Sequence, residues 1–155
     1  MNRRIYLDKQ HREAYRALAA TAAQVRAAAA DAGLDRRLME LVNLRISQLN
    51  GCAYCLDLHT RQALEAGEEP RRLAVLPAWR DTEVFSDTER AALALAEAVT
   101  DLPPRAEREE AFTGLRAGLT DDQFSVISWA AVTMNAFNRV SIVSGHPVRA
   151  DKPAR

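Results

Sequence analysis

Apolar positions recur at three- and four-residue spacings along most of the chain, and no stretch sustains a period-two alternation, so the pattern predicts helices and no sheet. Glycine and proline fall between the periodic runs and divide them into six or seven segments. The first covers 8–31 and stops at Gly33, a natural C-cap residue, and its stretch from Ala19 to Ala30 predicts close packing against a neighbour. A second covers 35–49 until Asn50-Gly51 breaks it, and a third opens at Cys52 and ends at Gly67. Pro70 starts a short helical piece that stops near Pro77, and a loop through Trp79 and Asp81 follows. Ser86 and Glu89 form a capping-box signature ahead of a helix over 87–100. Pro103-Pro104 separates it from a charged helix over 105–116, and Thr120 with Gln123 opens a long helix through Trp129, Asn135 and Val143 to Gly145. The polar tail after His146-Pro147 is expected to fray. The expected fold class is all-α: a compact bundle of six to seven helices, forming a single domain over 1–155.

Charge narrows the partners. Lysine plus arginine and aspartate plus glutamate number 21 each, and the two signs are interspersed, so there is no electrostatic footprint for nucleic acid or anionic lipid. No apolar run is long enough to span a bilayer, and the first residues lack the apolar core of a secretory signal. With only two cysteines in 155 residues, a disulfide scaffold is not how this chain is held together. A reducing, cytoplasmic setting is expected, with the cysteines kept for chemistry.

Those two cysteines lie together in an E-x11-C-x-x-C-x3-H pattern made by Glu40, Cys52, Cys55 and His59. On one helix Cys52, Cys55 and His59 fall at i, i+3 and i+7, which places all three on one face. A helix N-terminus carries roughly half a positive charge and unpaired N–H groups, so a thiolate there is favoured over the thiol. A thiol pKa lowered from about 8.5 to about 7 raises the thiolate fraction at neutral pH from roughly 3% to about half. His59, one turn beyond Cys55, is the acid/base partner assigned to that thiol, and Cys52 becomes the resolving thiol. Glu40 stands among Leu38, Leu41, Val42 and Leu44, with Asn43 and Ser47 on its own side of the helix. A carboxylate in that setting needs a partner, and pairing with His59 both satisfies it and raises the imidazole's basicity.

Other readings use the same residues. A metal site would take Cys52, Cys55 and His59 with a fourth ligand from Glu40, His11 or His146. An inert pair of buried cysteines is the bland alternative. Haem attachment is excluded because Leu56, not histidine, follows Cys55. His11 lies in a charged segment and is expected to be exposed, while His146 reads as a helix C-terminal cap. Asn135, Asn138 and Arg139 interrupt the apolar last helix, either as a substrate or subunit contact or as polar groups satisfying a helix junction. Trp79, Trp129, Phe85, Phe124 and Phe137 read as core or subunit-interface anchors.

The run from Glu40 to His59, followed by Thr60-Arg61 and Ala66-Gly67-Glu68, closely resembles the core of the alkylhydroperoxidase D-like, carboxymuconolactone decarboxylase superfamily. The resemblance is firm over 38–68, and looser at Ser86, Asp87 and Glu89 and at Met134-Asn135 with Asn138-Arg139. It implies an all-helical fold, homo-oligomers from dimers to hexamers, and cofactor-free, thiol-dependent reduction of organic hydroperoxides or hydrogen peroxide. It also implies that Cys55 is the peroxidatic cysteine, that Cys52 resolves it, and that Glu40 and His59 match the proton relay. The reductant would be a dithiol partner, either a lipoylated or a thioredoxin-like protein. One position departs: Tyr54 stands where a well-known branch has histidine before its second cysteine. The decarboxylase branch generally lacks the cysteine pair, which argues against lactone decarboxylation, and a non-catalytic metal-binding or redox-sensing module is the other alternative.

Overall fold

The computed structural model describes residues 3–150. Lys152 and the rest of the last five residues of the polar tail lie outside the described residues, while 146–150 form no regular element. Among the described residues there are eight α-helices and no strand: α1 (Leu7–Gln10), α2 (Arg12–Asp31), α3 (Arg36–Asn50), α4 (Ala53–Glu65), α5 (Pro70–Val75), α6 (Asp87–Thr100), α7 (Arg108–Leu115) and α8 (Asp121–Ser144). None of the helices among these residues is long and apolar enough to cross a membrane.

The helix boundaries follow local chemistry. Asp35 caps α3 through Leu38 N–H, and Gly51 ends it in the left-handed region at φ 65°. Ser86 with Glu89 and Thr120 with Gln123 both close complete capping boxes, opening α6 and α8. Two segments depart from the sequence-based expectation. The single first helix divides at His11, whose backbone leaves the helical region at φ −126°, ψ 73°. The cause is long-range: Leu7 N–H donates to Ser144 Oγ and Arg4 to the Gly145 carbonyl, so the leading segment is tied to the end of α8 instead of following the axis of α2. The expected loop through Trp79 and Asp81 is a 3₁₀ turn over Leu76–Asp81, organised by the buried Trp79.

Helix α3 is the central element. Leu38, Met39, Val42 and Ile46 face one apolar cluster with Ala92, Leu95, Ile127, Ala131 and Met134, and both cysteines pack into it. Leu41 and Leu44 face a second cluster with Leu76, Trp79, Phe85 and Leu93. Between them a carboxylate hub forms, where Glu97 accepts from Arg45 Nε at 2.6 Å, Trp79 Nε1 at 2.8 Å and Arg80 at 2.5 Å. The alanine run of α2 does not pack as expected: only Ala29 is buried, and most of the other alanines face outward. Alanine holds the helix by propensity and has little apolar surface to hide, so leaving it exposed costs little.

Candidate active site

The loop between α3 and α4 is two residues long: after Asn50 ends one helix, Gly51 turns the chain and Cys52 caps the next. Cys52 N–H donates to the Ser47 carbonyl at 3.1 Å, completing the left-handed helix end. The Cys52 sulphur occupies the place an N-cap oxygen usually takes and accepts from Cys55 N–H at 3.3 Å. Cys52 and Cys55 are joined as a disulfide with Cα atoms 5.3 Å apart, well inside the range that such a bond tolerates. Both are almost completely buried, at 2% and 3% exposure. The bond therefore sits at the positive end of α4, where the thiolates released by reduction would be stabilised.

One turn further along α4, His59 Nδ1 lies 2.7 Å from Glu40 Oε2 on α3. Glu40 is buried and the His59 side chain is only 12% exposed, so the contact is largely shielded from water. A carboxylate only accepts, so Nδ1 is the donor of this contact and Nε2 is the ring nitrogen left for other partners. Glu40 and His59 thus join α3 to α4, and the Cys52–Cys55 pair stands at the head of α4. Ser47 and Asn43, noted beside Glu40 in the sequence, bond to each other: Ser47 Oγ donates to the Asn43 carbonyl at 2.8 Å.

Among the described residues no group of three or more His, Cys, Asp and Glu side chains is arranged to hold an ion, since each sulphur is bonded to the other and His59 faces Glu40. His11 is exposed, as its charged neighbourhood predicts. His146 caps α8 through its backbone N–H to the Ser141 carbonyl, and its side chain does more than the sequence suggested. Its Nε2 lies 3.0 Å from Asp8 Oδ1 and its Nδ1 3.2 Å from Ser141 Oγ. The ring stacks on Tyr6, with centroids 5.7 Å apart, and lies 5.2 Å from Tyr54. Tyr54, between the cysteines, therefore faces a histidine from the far end of the chain. Burial pushes the nearby Tyr15 phenol up, and Tyr54 and Asp8 push it further. No local signal connects Asp8 with His146, which are 138 positions apart.

Asn135, Asn138 and Arg139 resolve to a helix junction: they bond to Asn50, Ser47, Thr100 and one another. The aromatic residues divide between two fates. Trp79 and Phe85 are core, Phe124 and Phe137 are half-buried, and Trp129 is 55% exposed on a face of α8 that it shares with Val132 and Val143. A groove between α2 and α8, lined by Val25, Ala28, Val126 and Trp129, lies on that side.

Comparison with known proteins places this arrangement among relatives. Residues 12–98 match the model of the carboxymuconolactone decarboxylase family. The chain is 34% identical over 113 residues to the uncharacterized protein YdfG of Bacillus subtilis strain 168, covering 73% of this chain and 77% of that one. It is 37% identical over 71 residues to the uncharacterized protein YnjA of Escherichia coli strain K12, which covers 46% of this chain and 39% of that protein. A crystal structure of an Agrobacterium tumefaciens protein of unknown function, described provisionally as the antioxidant defence protein AhpD, superimposes with a TM-score of 0.83 at 30% identity, covering 96% of this chain and 99% of the other.

Proposed function

The chain belongs to the carboxymuconolactone decarboxylase family, and from that premise we propose that it is a thiol-dependent peroxidase that reduces organic hydroperoxides or hydrogen peroxide. The observation that carries this reading is the Cys52–Cys55 disulfide at the head of α4, one turn from a histidine that a buried glutamate orients. That bond is the oxidised state of the cycle. A dithiol reductant, of the lipoylated or thioredoxin-like class, opens it by exchange and leaves two thiols. His59 Nε2, its ring oriented by Glu40 behind it, takes the Cys55 proton. The thiolate attacks one peroxide oxygen, the O–O bond breaks, and the departing alkoxide takes the proton from His59, leaving an alcohol and a Cys55 sulfenic acid. The Cys52 sulphur then attacks that of Cys55, the S–O bond breaks, and hydroxide leaves as water with the Cys52 proton. Each turn reduces one peroxide and oxidises one dithiol, with no cofactor.

The same reading has the whole chain act as one domain in the cytoplasm, as a homo-oligomer whose contacts use the exposed apolar face of α8; that Trp129, Val132 and Val143 are exposed supports this. The family's name also raises lyase chemistry on a lactone acid, since the Glu40–His59 pair is independent of the sulphurs. A Cys52→Ser, Cys55→Ser double variant separates the two. Loss of dithiol-dependent hydroperoxide consumption in the variant supports the peroxidase. Lactone turnover that survives in it supports the lyase and overturns the first reading.

A further inference from the structure

Helix α8 reaches the dithiol through a buried set of amide and hydroxyl groups. Asn138 and Ser47 are both fully buried. Asn138 Nδ2 donates to Ser47 Oγ at 3.1 Å, while its Oδ1 accepts from Asn50 Nδ2 at 2.8 Å. Asn50 Nδ2 is shared with Asn135 Oδ1 at 2.9 Å, and Asn135 is held in turn by Thr100 at 2.9 Å and Arg139 at 3.0 Å. Ser47 and Asn50 bracket the helix end from which Cys52 hangs, and Ser47 also provides the carbonyl that receives Cys52 N–H. Asn138 thus holds two residues of the last turn of α3, directly ahead of the turn that places the Cys52 sulphur. Burying this many polar groups in a helix junction is costly compared with aliphatic packing, and what it gains is a fixed orientation.

We propose that Asn50 and Asn138 are positioning residues for disulfide closure, holding the Asn50–Gly51–Cys52 turn so that the Cys52 sulphur meets Cys55. This inference rests on the peroxidase reading for its place in a cycle, but its physical content is the equilibrium of the bond itself. The step they serve forms the S–S bond as the S–O bond of the Cys55 sulfenic acid breaks, with the Cys52 proton leaving in water. In the closed state the network holds the turn with the Cα atoms 5.3 Å apart, and a turn kept in that geometry after reduction needs little rearrangement to close again. Loosening the turn lowers the effective concentration of Cys52 at Cys55. The sulfenic acid then persists, and the disulfide becomes easier to reduce.

The test uses Asn50→Ala and Asn138→Ala in the full chain, with circular dichroism and thermal melting to establish that each is folded. The disulfide is equilibrated against glutathione redox buffers, and the sulfenic acid formed with one equivalent of hydroperoxide is trapped with dimedone and read by intact mass. The expected result is a shift of the glutathione equilibrium towards the dithiol on the order of tenfold, about 30 mV, with more dimedone adduct on Cys55 than in wild type. A purely structural role would destabilise reduced and oxidised forms alike and leave the potential in place. An unshifted equilibrium in a folded variant overturns the proposal; if Asn138→Ala does not fold, the half-buried Asn50→Ala decides. A shifted potential in a protein that turns over no peroxide would defeat the proposed function and leave this inference standing, whereas peroxidase activity with an unshifted potential would do the reverse.

Discussion

Glu40 and His59 show how little separates a satisfied buried pair from a catalytic one. The 2.7 Å contact would stabilise the fold whatever the protein does, and one turn along the helix from Cys55 it is where the proposed mechanism needs a proton acceptor. Glu40→Gln keeps a hydrogen-bonding oxygen and removes the charge facing His59, so on the proposed reading the rate of Cys55 oxidation, followed as thiol loss under excess hydroperoxide, should fall on the order of 10²-fold. Little change would reduce Glu40 to a structural role. Cys52→Ser should still react with peroxide yet stop at a sulfenic acid that dimedone captures. That Glu40 would pair with His59 was legible, since a glutamate among leucines needs a partner, and the three-residue spacing of Cys52 and Cys55 suits a bond between them. The approach of His146 to Tyr54 was not, because it depends on how the two ends of the chain pack together.

At the level of helices, caps and glycines were the most readable signals. The Ser86 and Thr120 boxes mark the starts of α6 and α8, and Gly51 and Gly145 mark left-handed ends. Where tertiary contacts overrule local pattern, the sequence misleads: α1 separates from α2 at His11 because distant hydrogen bonds hold it, and the Trp79 segment coils as its buried indole reaches the half-buried Glu97 carboxylate. Two variants probe the local devices. Ser86→Ala should destabilise the protein by about 1 kcal/mol in urea unfolding through loss of the cap. Gly51→Ala meets no neighbouring atom, so its cost should be conformational alone, about 1 kcal/mol for a side chain at φ 65°.

Over the whole molecule, Glu97 joins α3, the 3₁₀ turn and α6 through Arg45, Trp79 and Arg80. Burial pushes its carboxyl up, but the hydrogen bonds from Trp79, Arg45 and Arg80 prevail and hold it below the usual carboxylate range. The folded state therefore favours the ionised form, a contribution present above the unfolded value of about 4.3 and lost as pH falls through the folded one. Glu97→Gln should lower the melting temperature at pH 7 and flatten its decline below about pH 4.5, and parallel curves for the two proteins would remove Glu97 from the acid response. The broad architecture could be read from periodicity, whereas the division of aromatic residues between core and surface could not, because one helical period serves both. The central claim is tested most directly by titrating the fully reduced protein with one equivalent of cumene hydroperoxide while following free thiols and intact mass. The account expects both thiols to disappear with a mass decrease of two hydrogens, and no such decrease in Cys55→Ser; thiols that persist unreacted in the wild type would contradict it.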